Sequence, residues 1–338
     1  MELSRAVLEE QLRAELLGNP SGSALLLSLF FAAVRSPKAS LLETPMPALA
    51  GESNPDELLG TWRRAMEGIP RGPGLPERLQ TLPDGSVELL HFLLFPSSHR
   101  SGHLPGDHAM PWPLRAEQRP VAWFEELASP LRLCAATRPD LVFEIVPHPD
   151  DPFEPLARAH GTTLEYHGSP SENLHSILRR GLLTKYGRRM IYGDGLYFTS
   201  DLRVARQFIE TTADVYDASS ALRQPFGCLA VFEVLKRHPA VRRPDPLGPD
   251  AAGLAVHGGG LPLTYIVVAS PEFVRLRYLL VYLDSSAELR SSRARMVSKL
   301  LIAYVVVLAF LAVFGSSLWH LCSRYLHRFY LQRSQFKF

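Results

Sequence analysis

The chain has 338 residues, of which 46% are hydrophobic, and 36 Lys and Arg against 34 Asp and Glu leave a net charge of only +2. That length fits two ordinary domains, or one with an appendage. Neutrality, with no basic stripe and no zinc-finger spacing, argues against a nucleic-acid partner. Three widely spaced cysteines, Cys134, Cys228 and Cys322, imply neither a disulfide framework nor a metal knuckle.

Residues 1–138 read as an α-helical domain. Ala6, Val7, Leu12, Leu16 and Leu17 recur at helical spacing, and Gly18-Asn19-Pro20 stops that helix. Leu25 to Val34 reads as a more buried helix. The acidic residues ahead of it, Glu2, Glu9, Glu10 and Glu15, argue against a signal peptide. Glu57 to Met66, Val87 to Phe95 and Val121 to Ala136 are further helical segments. Gly68–Pro76 and Pro96–Pro120 read as connectors. The second holds His99, His103 and His108 without a Cys or carboxylate cluster, so no metal is expected there.

From Asp140 the pattern changes to short strands: Leu141–Val146, Thr163–His167, Leu196–Thr199, Gly227–Val234, Thr264–Ala269 and Phe273–Leu283. Short helices and one long loop, about Lys236 to Leu261, join them. Residues 287–299 form a polar, basic linker. Leu300 to Phe314 is an unbroken apolar run, and no Asp, Glu, Lys or Arg occurs from Leu300 to Ser323. A bilayer core of about 30 Å takes about 20 helical residues, so residues 300–322 are expected to span a membrane. Basic residues flank the run on both sides, so charge does not orient it. With only a short tail after it, residues 323–338, the expected topology is tail-anchored, with the bulk of the chain cytosolic and the tail lumenal. Cys322 stands at the end of the span, where acylation is conceivable.

Two segments carry chemistry. In Thr162 to Leu183 a strand ends at His167-Gly168-Ser169 and a helix begins at once. Ser169 reads as its N-cap with Pro170 at the first helical position, and Glu172 completes a capping box. Leu174, Ile177 and Leu178 form the apolar stripe, and Gly181 closes the helix. An imidazole and a backbone amide thus stand at a rigid corner. In Tyr192 to Glu210, Gly193 and Gly195 make a close-approach turn ahead of strand Leu196–Thr199. Asp201 then caps a helix expected to place Val204, Ala205 and Phe208 on one face. Tyr197 and Phe208 are positioned to flank a flat ring.

The succession strand-His-Gly-Ser-helix-Gly, then Gly-Asp-Gly-Leu-Tyr-Phe, resembles the catalytic domain of the poly(ADP-ribose) polymerase family, the diphtheria-toxin-like ADP-ribosyltransferases. The resemblance covers about Asp140 to Tyr282. It implies an α+β chain in which residues 139–286 form a split antiparallel β-sheet transferase domain. It further implies a His167–Tyr197–Tyr265 triad, with Tyr265 on the strand LPLTYIVVAS and FVRLRYLLVY as the closing strand. NAD+ is then the co-substrate: His167 would bond the adenosine ribose, Gly168 the nicotinamide carboxamide, and Tyr197 would stack on the nicotinamide with Phe208 opposite. Ser169 is counted with the NAD+-binding residues, and no metal is implied.

Two departures matter. Polymerizing relatives carry Glu where Tyr265 stands, and a phenol of pKa about 10 is no carboxylate base at pH 7. Mono-ADP-ribosylation is therefore the consistent expectation. Ala205 stands where many relatives have a carboxamide-binding Ser, which predicts weaker NAD+ binding. The whole arrangement is similar to a tail-anchored endoplasmic-reticulum member of the family. From this follow the expected acceptors: proteins at the cytosolic face of the membrane, the chain itself included, with endoplasmic-reticulum stress sensors as candidates. A catalytically inactive membrane-tethered adaptor with a degenerate transferase fold remains the competing reading.

Overall fold

The computed structural model describes residues 3–37, 55–95, 115–127, 137–147, 151–184, 192–216, 221–222, 224–243 and 264–284. These all belong to one compact unit, residues 1–284. The expected span at 300–322, the basic linker before it, the tail after it, Cys134, Cys322 and the three connector histidines lie outside the described residues.

Among the described residues, five α-helices come first: α1 (Arg5–Gly18), α2 (Pro20–Arg35), α3 (Pro55–Glu67), the short α4 (Leu75–Arg78) and α5 (Asp84–Leu94). The chain bends by 109° between α1 and α2 at Asn19-Pro20, where proline can start a helix but not continue one. Leu25, Leu27, Leu29, Phe30, Phe31 and Val34 of α2 are wholly buried, so this is the buried helix its composition predicts. Among the described residues no single helix is long and apolar enough to cross a membrane; the bent pair α1–α2 qualifies only by summed length and composition.

Strand β1 (Arg115–Arg119) and helix α6 (Val121–Leu127) follow, then β2 (Leu141–Val146), α7 (Phe153–His160), β3 (Thr162–Gly168), α8 (Ser171–Arg180), β4 (Leu196–Thr199) and α9 (Leu202–Arg206). The last strands are β5 (Phe226–Leu235), β6 (Val241–Arg242), β7 (Tyr265–Val268) and β8 (Val274–Leu283). All eight form one antiparallel sheet in the order β1-β2-β8-β5-β3-β4-β7-β6.

Both edge strands fall in segments read as loops. β1 is RAEQR, with only Ala116 wholly buried, so no apolar alternation marks it; its pairing with β2 and the 2.7 Å Arg119–Glu144 ion pair hold it in the sheet. β6 is two residues long, below the reach of any periodicity. Helix α7 is one of the short helices expected between strands.

The helical layer and the sheet share one apolar core. Helix α8 is where they lock. The His175 ring meets Phe30 edge-on at 4.9 Å, and the buried Arg179 guanidinium donates to the Phe92 and Leu93 carbonyls at the end of α5. A cation at a helix C-terminus meets the negative end of the peptide dipoles. Burial lowers the Arg179 pKa to about 10, which leaves it charged at neutral pH.

Candidate active site

The sheet is nearly severed at one place. β3 and β4 share a single register pair, Tyr166–Thr199, whereas β3 runs seven pairs with β5 and β4 runs four with β7. At that opening a side chain bridges the gap: His167 Nδ1 donates to the Tyr197 carbonyl at 2.9 Å. A carbonyl can only accept, so Nδ1 carries the proton. Burial holds the His167 pKa below its ordinary value. The ring is therefore neutral, and its Nε2 is a bare acceptor. Phe198 and Phe232 back the imidazole at centroid distances of 5.8 and 6.1 Å.

After His167 the chain turns into α8, but not as the capping box predicts. Pro170 keeps an extended ψ of 141° and occupies the N-cap, so the helix starts at Ser171. Ser169 then stands one residue too early to cap. It is buried, and its Oγ accepts from the Asn173 amide at 3.0 Å. Ser171 Oγ donates to the Glu210 carbonyl at 2.8 Å, tying the start of α8 to the segment after Phe208. Gly181, at φ +73°, ends the helix as expected.

Gly168 has a packing reason to be glycine. A Cβ there would stand 1.9 Å from the Ala205 carbonyl oxygen and 2.9 Å from the Phe208 Cβ. The corner thus lies against the end of α9. Asp201 caps α9 by accepting from the Arg203 backbone N–H at 2.9 Å, as its position predicts. The helix is only five residues long, however, and its buried face is Leu202 and Ala205. Phe208 falls beyond its end and stays 49% exposed beside Gly168. An apolar ring left open next to a bare backbone corner is a surface on which a flat ligand can lie.

The two-glycine turn leads into β4. Gly193 and Gly195 have φ of +93° and +145°, a region that disfavours side chains. A Cβ on Gly195 would also meet Val267 Cγ1 and the Val268 carbonyl at 2.7 Å. The turn folds around the Tyr197 hydroxyl, which accepts from the Tyr192 N–H at 2.9 Å and donates to the Gly193 carbonyl at 2.6 Å. Both polar functions of that phenol are spent on its own turn, so Tyr197 offers a ligand its ring.

Tyr265 begins β7 opposite Thr199, and Tyr197 pairs with Val267. Directly paired and alternate residues share a face of an antiparallel sheet, so Tyr197 and Tyr265 project to the same side. The Tyr192 ring lies between them, 6.4 Å from Tyr197 and 5.8 Å from Tyr265. Burial, then proximity to Tyr192, raises the Tyr265 pKa above its ordinary value, so the phenol is neutral at physiological pH. The aromatic row is thus three tyrosines long. Its middle member was not singled out from sequence, although it directly precedes the first glycine of the turn.

A cavity of about 250 Å³ opens nearby, lined by Arg35, Ser36, Pro170, Ser171, Glu172 and Asp214 among others. It lies behind the start of α8 and includes none of His167, Tyr197 or Tyr265, so it is not the site argued from these residues.

Residues 142–218 match the poly(ADP-ribose) polymerase catalytic domain. Over this stretch the chain is similar to the poly(ADP-ribose) polymerase family. The matched stretch contains His167, Gly168, Tyr197 and Phe208 and stops before Tyr265. Over 201 residues, 54% of this chain, it is 31% identical to the mouse (Mus musculus) protein mono-ADP-ribosyltransferase PARP16. Over 198 residues, 53% of the chain, it is 31% identical to the human (Homo sapiens) protein mono-ADP-ribosyltransferase PARP16. The matches span 60% and 59% of those two relatives' lengths.

Proposed function

We propose that this chain is an NAD+-dependent protein mono-ADP-ribosyltransferase. The observation that carries the reading is the neutral His167, fixed by the Tyr197 carbonyl at the opening of the sheet and flanked by the Tyr197–Tyr192–Tyr265 row. NAD+ fits these groups. His167 Nε2 is an acceptor suited to a ribose hydroxyl. Tyr197 and the exposed Phe208 offer apolar faces for the nicotinamide, and the Gly168 corner offers backbone for its carboxamide. In the transfer, the ribose C1–nitrogen bond breaks and nicotinamide leaves with the electron pair. An acceptor heteroatom forms the new bond to C1 and gives up its proton to solvent. The residues here contribute orientation: they hold both ends of the dinucleotide while the acceptor approaches, which is worth several powers of ten in rate when the geometry is productive. Tyr265 brings no carboxylate to this step, which supports single additions over chain growth.

The membrane reading rests on the apolar run at 300–322 and on the similarity described above. On that reading the catalytic unit faces the cytosol at the endoplasmic reticulum. Its acceptors are itself and proteins held at that membrane face, endoplasmic-reticulum stress sensors among them. The phenol at 265 and the methyl at 205 favour the second reading, an inactive tethered adaptor. Auto-modification of the full chain with labelled NAD+, beside His167→Ala and Tyr197→Ala, separates the two. The expected result is one discrete mass addition, absent from both variants. NAD+ binding without incorporation would establish the adaptor, and a ladder of heavy products would refute mono-transfer.

A further inference from the structure

The turn that carries Tyr197 is gripped from two sides. Inside, the Tyr197 hydroxyl takes the Tyr192 N–H and the Gly193 carbonyl. Outside, Arg242 Nη2 donates to the Tyr192 carbonyl at 2.8 Å and reaches the Asp194 carbonyl at 3.5 Å. Three successive carbonyls are thereby accounted for by two side chains.

The sheet explains why these side chains converge. Arg242 on β6 and Tyr197 on β4 both pair with Val267 of β7. They occupy one rung across three strands and so project from the same face. The glycine turn lies over that rung: a Cβ on Gly195 would stand only 2.7 Å from Val267 Cγ1. Gly193 leaves the room that the guanidinium needs: a Cβ there would stand 3.1 Å from Arg242 Nη2.

Resting on the NAD+ reading, we propose that Arg242 is a positioning residue of this site: its guanidinium fixes the two-glycine turn and thereby sets the orientation of the Tyr197 ring. Both hydrogen bonds described for Arg242 go to backbone carbonyls, so its action on the ligand runs through the turn. Both contacts come from the one Nη2, whose two N–H groups can face two acceptors at once on a rigid, planar head.

The test uses the full-length chain in detergent, with Arg242→Ala and Arg242→Lys, and two probes, NAD+ and nicotinamide alone. Nicotinamide lacks the phosphates, so it reports the ring site only. Loss of an exposed clamp of this kind should weaken both probes by the same factor, about two- to tenfold. KM for NAD+ should rise while kcat stays within about twofold, and Arg242→Lys should recover part of the loss. Without ligand, the amides of residues 192–196 should exchange faster in Arg242→Ala, a change that direct ligand contact would not produce. Weaker NAD+ binding with unchanged nicotinamide binding would overturn the proposal, because Arg242 would then touch the phosphate end. Binding of both probes by Arg242→Ala as tight as by the parent chain would overturn this inference alone. Failure of the unmodified chain to bind either probe would refute the NAD+ reading and this inference with it.

Discussion

Gly168→Ala is the sharpest test of how the corner is built. The added methyl carbon would start 1.9 Å from the Ala205 carbonyl oxygen, where about 3.0 Å is the closest approach such atoms make. Relief requires a backbone shift of about 1 Å, because the atom it meets is main chain. Overpacking of this kind costs about 1–3 kcal/mol. The melting temperature should then fall by about 2–4 °C per kcal/mol for a unit of this size. The shift must also displace the end of α9 and Phe208, since the same methyl would lie 2.9 Å from the Phe208 Cβ. The affinity for nicotinamide should therefore drop along with stability. Gly85→Ala is the control: it lies in α5, and a Cβ there meets nothing within 4 Å. It should leave stability unchanged, or raise it by a few tenths of a kcal/mol up to about 1 kcal/mol. Calorimetry and nicotinamide titration of the three proteins check this. A Gly168→Ala protein as stable as the parent, with unchanged nicotinamide affinity, would refute the packing argument.

Two further expectations concern pH. Burial lowers the pKa of His167 and drives that of His175 well down, the latter assisted by Arg179. The unfolded chain takes up these protons near pH 6.5 while the native state resists. Stability is then complete above that pH and is lost as pH falls below it, by up to about 1.4 kcal/mol per unit for each histidine. The carboxyls of Asp201 and Glu154, held down by hydrogen bonds to Arg203 and Arg275, lose their contribution only below their ordinary values, in a separate window. Denaturant titrations from pH 5 to 7.5 should show this slope, roughly halved in His175→Leu; an unchanged slope would refute the assignment. Tyr265 stays neutral through this range and beyond. Tyr265→Phe should keep the pH profile of auto-modification between pH 7 and 9 superimposable, with a rate within about threefold. A profile that climbs toward pH 9 only when the phenol is present would show that its ionised form takes part.

What the sequence makes legible here is what repeats or punctuates. The strand-end His167, the turn glycines and the cap at Asp201 each depend on local chemistry, and each stands where that chemistry predicts. The inner strands β2, β4 and β5 are read closely because most of their residues are apolar and buried, with only Glu144 in β2 and Glu233 in β5 bearing charge. The edges β1 and β6 were missed because an edge strand is specified by its partner's hydrogen bonds and charges, which sit far away in sequence. Ser169 was misassigned by a single residue: Pro170 satisfies the N-cap or the first helical position equally well on paper, and only its ψ decides. Tyr192 and Arg242 lie beyond sequence reasoning altogether. Arg242 owes its role to the rung that joins β4, β7 and β6, and Tyr192 owes its role to the turn that rung supports; no spacing in the chain encodes that rung.

The location of the site follows from the same sheet geometry. Where antiparallel strands stay in register, every inward carbonyl and amide is spent on the ladder, and a ligand finds no free backbone. β3 and β4 give this up after one pair. The Tyr197 carbonyl, freed from β3, is taken by an imidazole, and that bond does three things. It satisfies a carbonyl that would otherwise cost energy to leave unpaired. It selects the Nδ1–H tautomer, leaving Nε2 as an acceptor. It also couples His167 to the backbone of the residue whose ring completes the site. The two side chains are thus oriented by one hydrogen bond before any ligand arrives. A rotation of β4 against β3 would disorient both together, so the rest of the fold bears on this junction. The seven-pair ladder of β3 with β5 fixes one side, and β7, with the turn held by Tyr197 and Arg242, fixes the other.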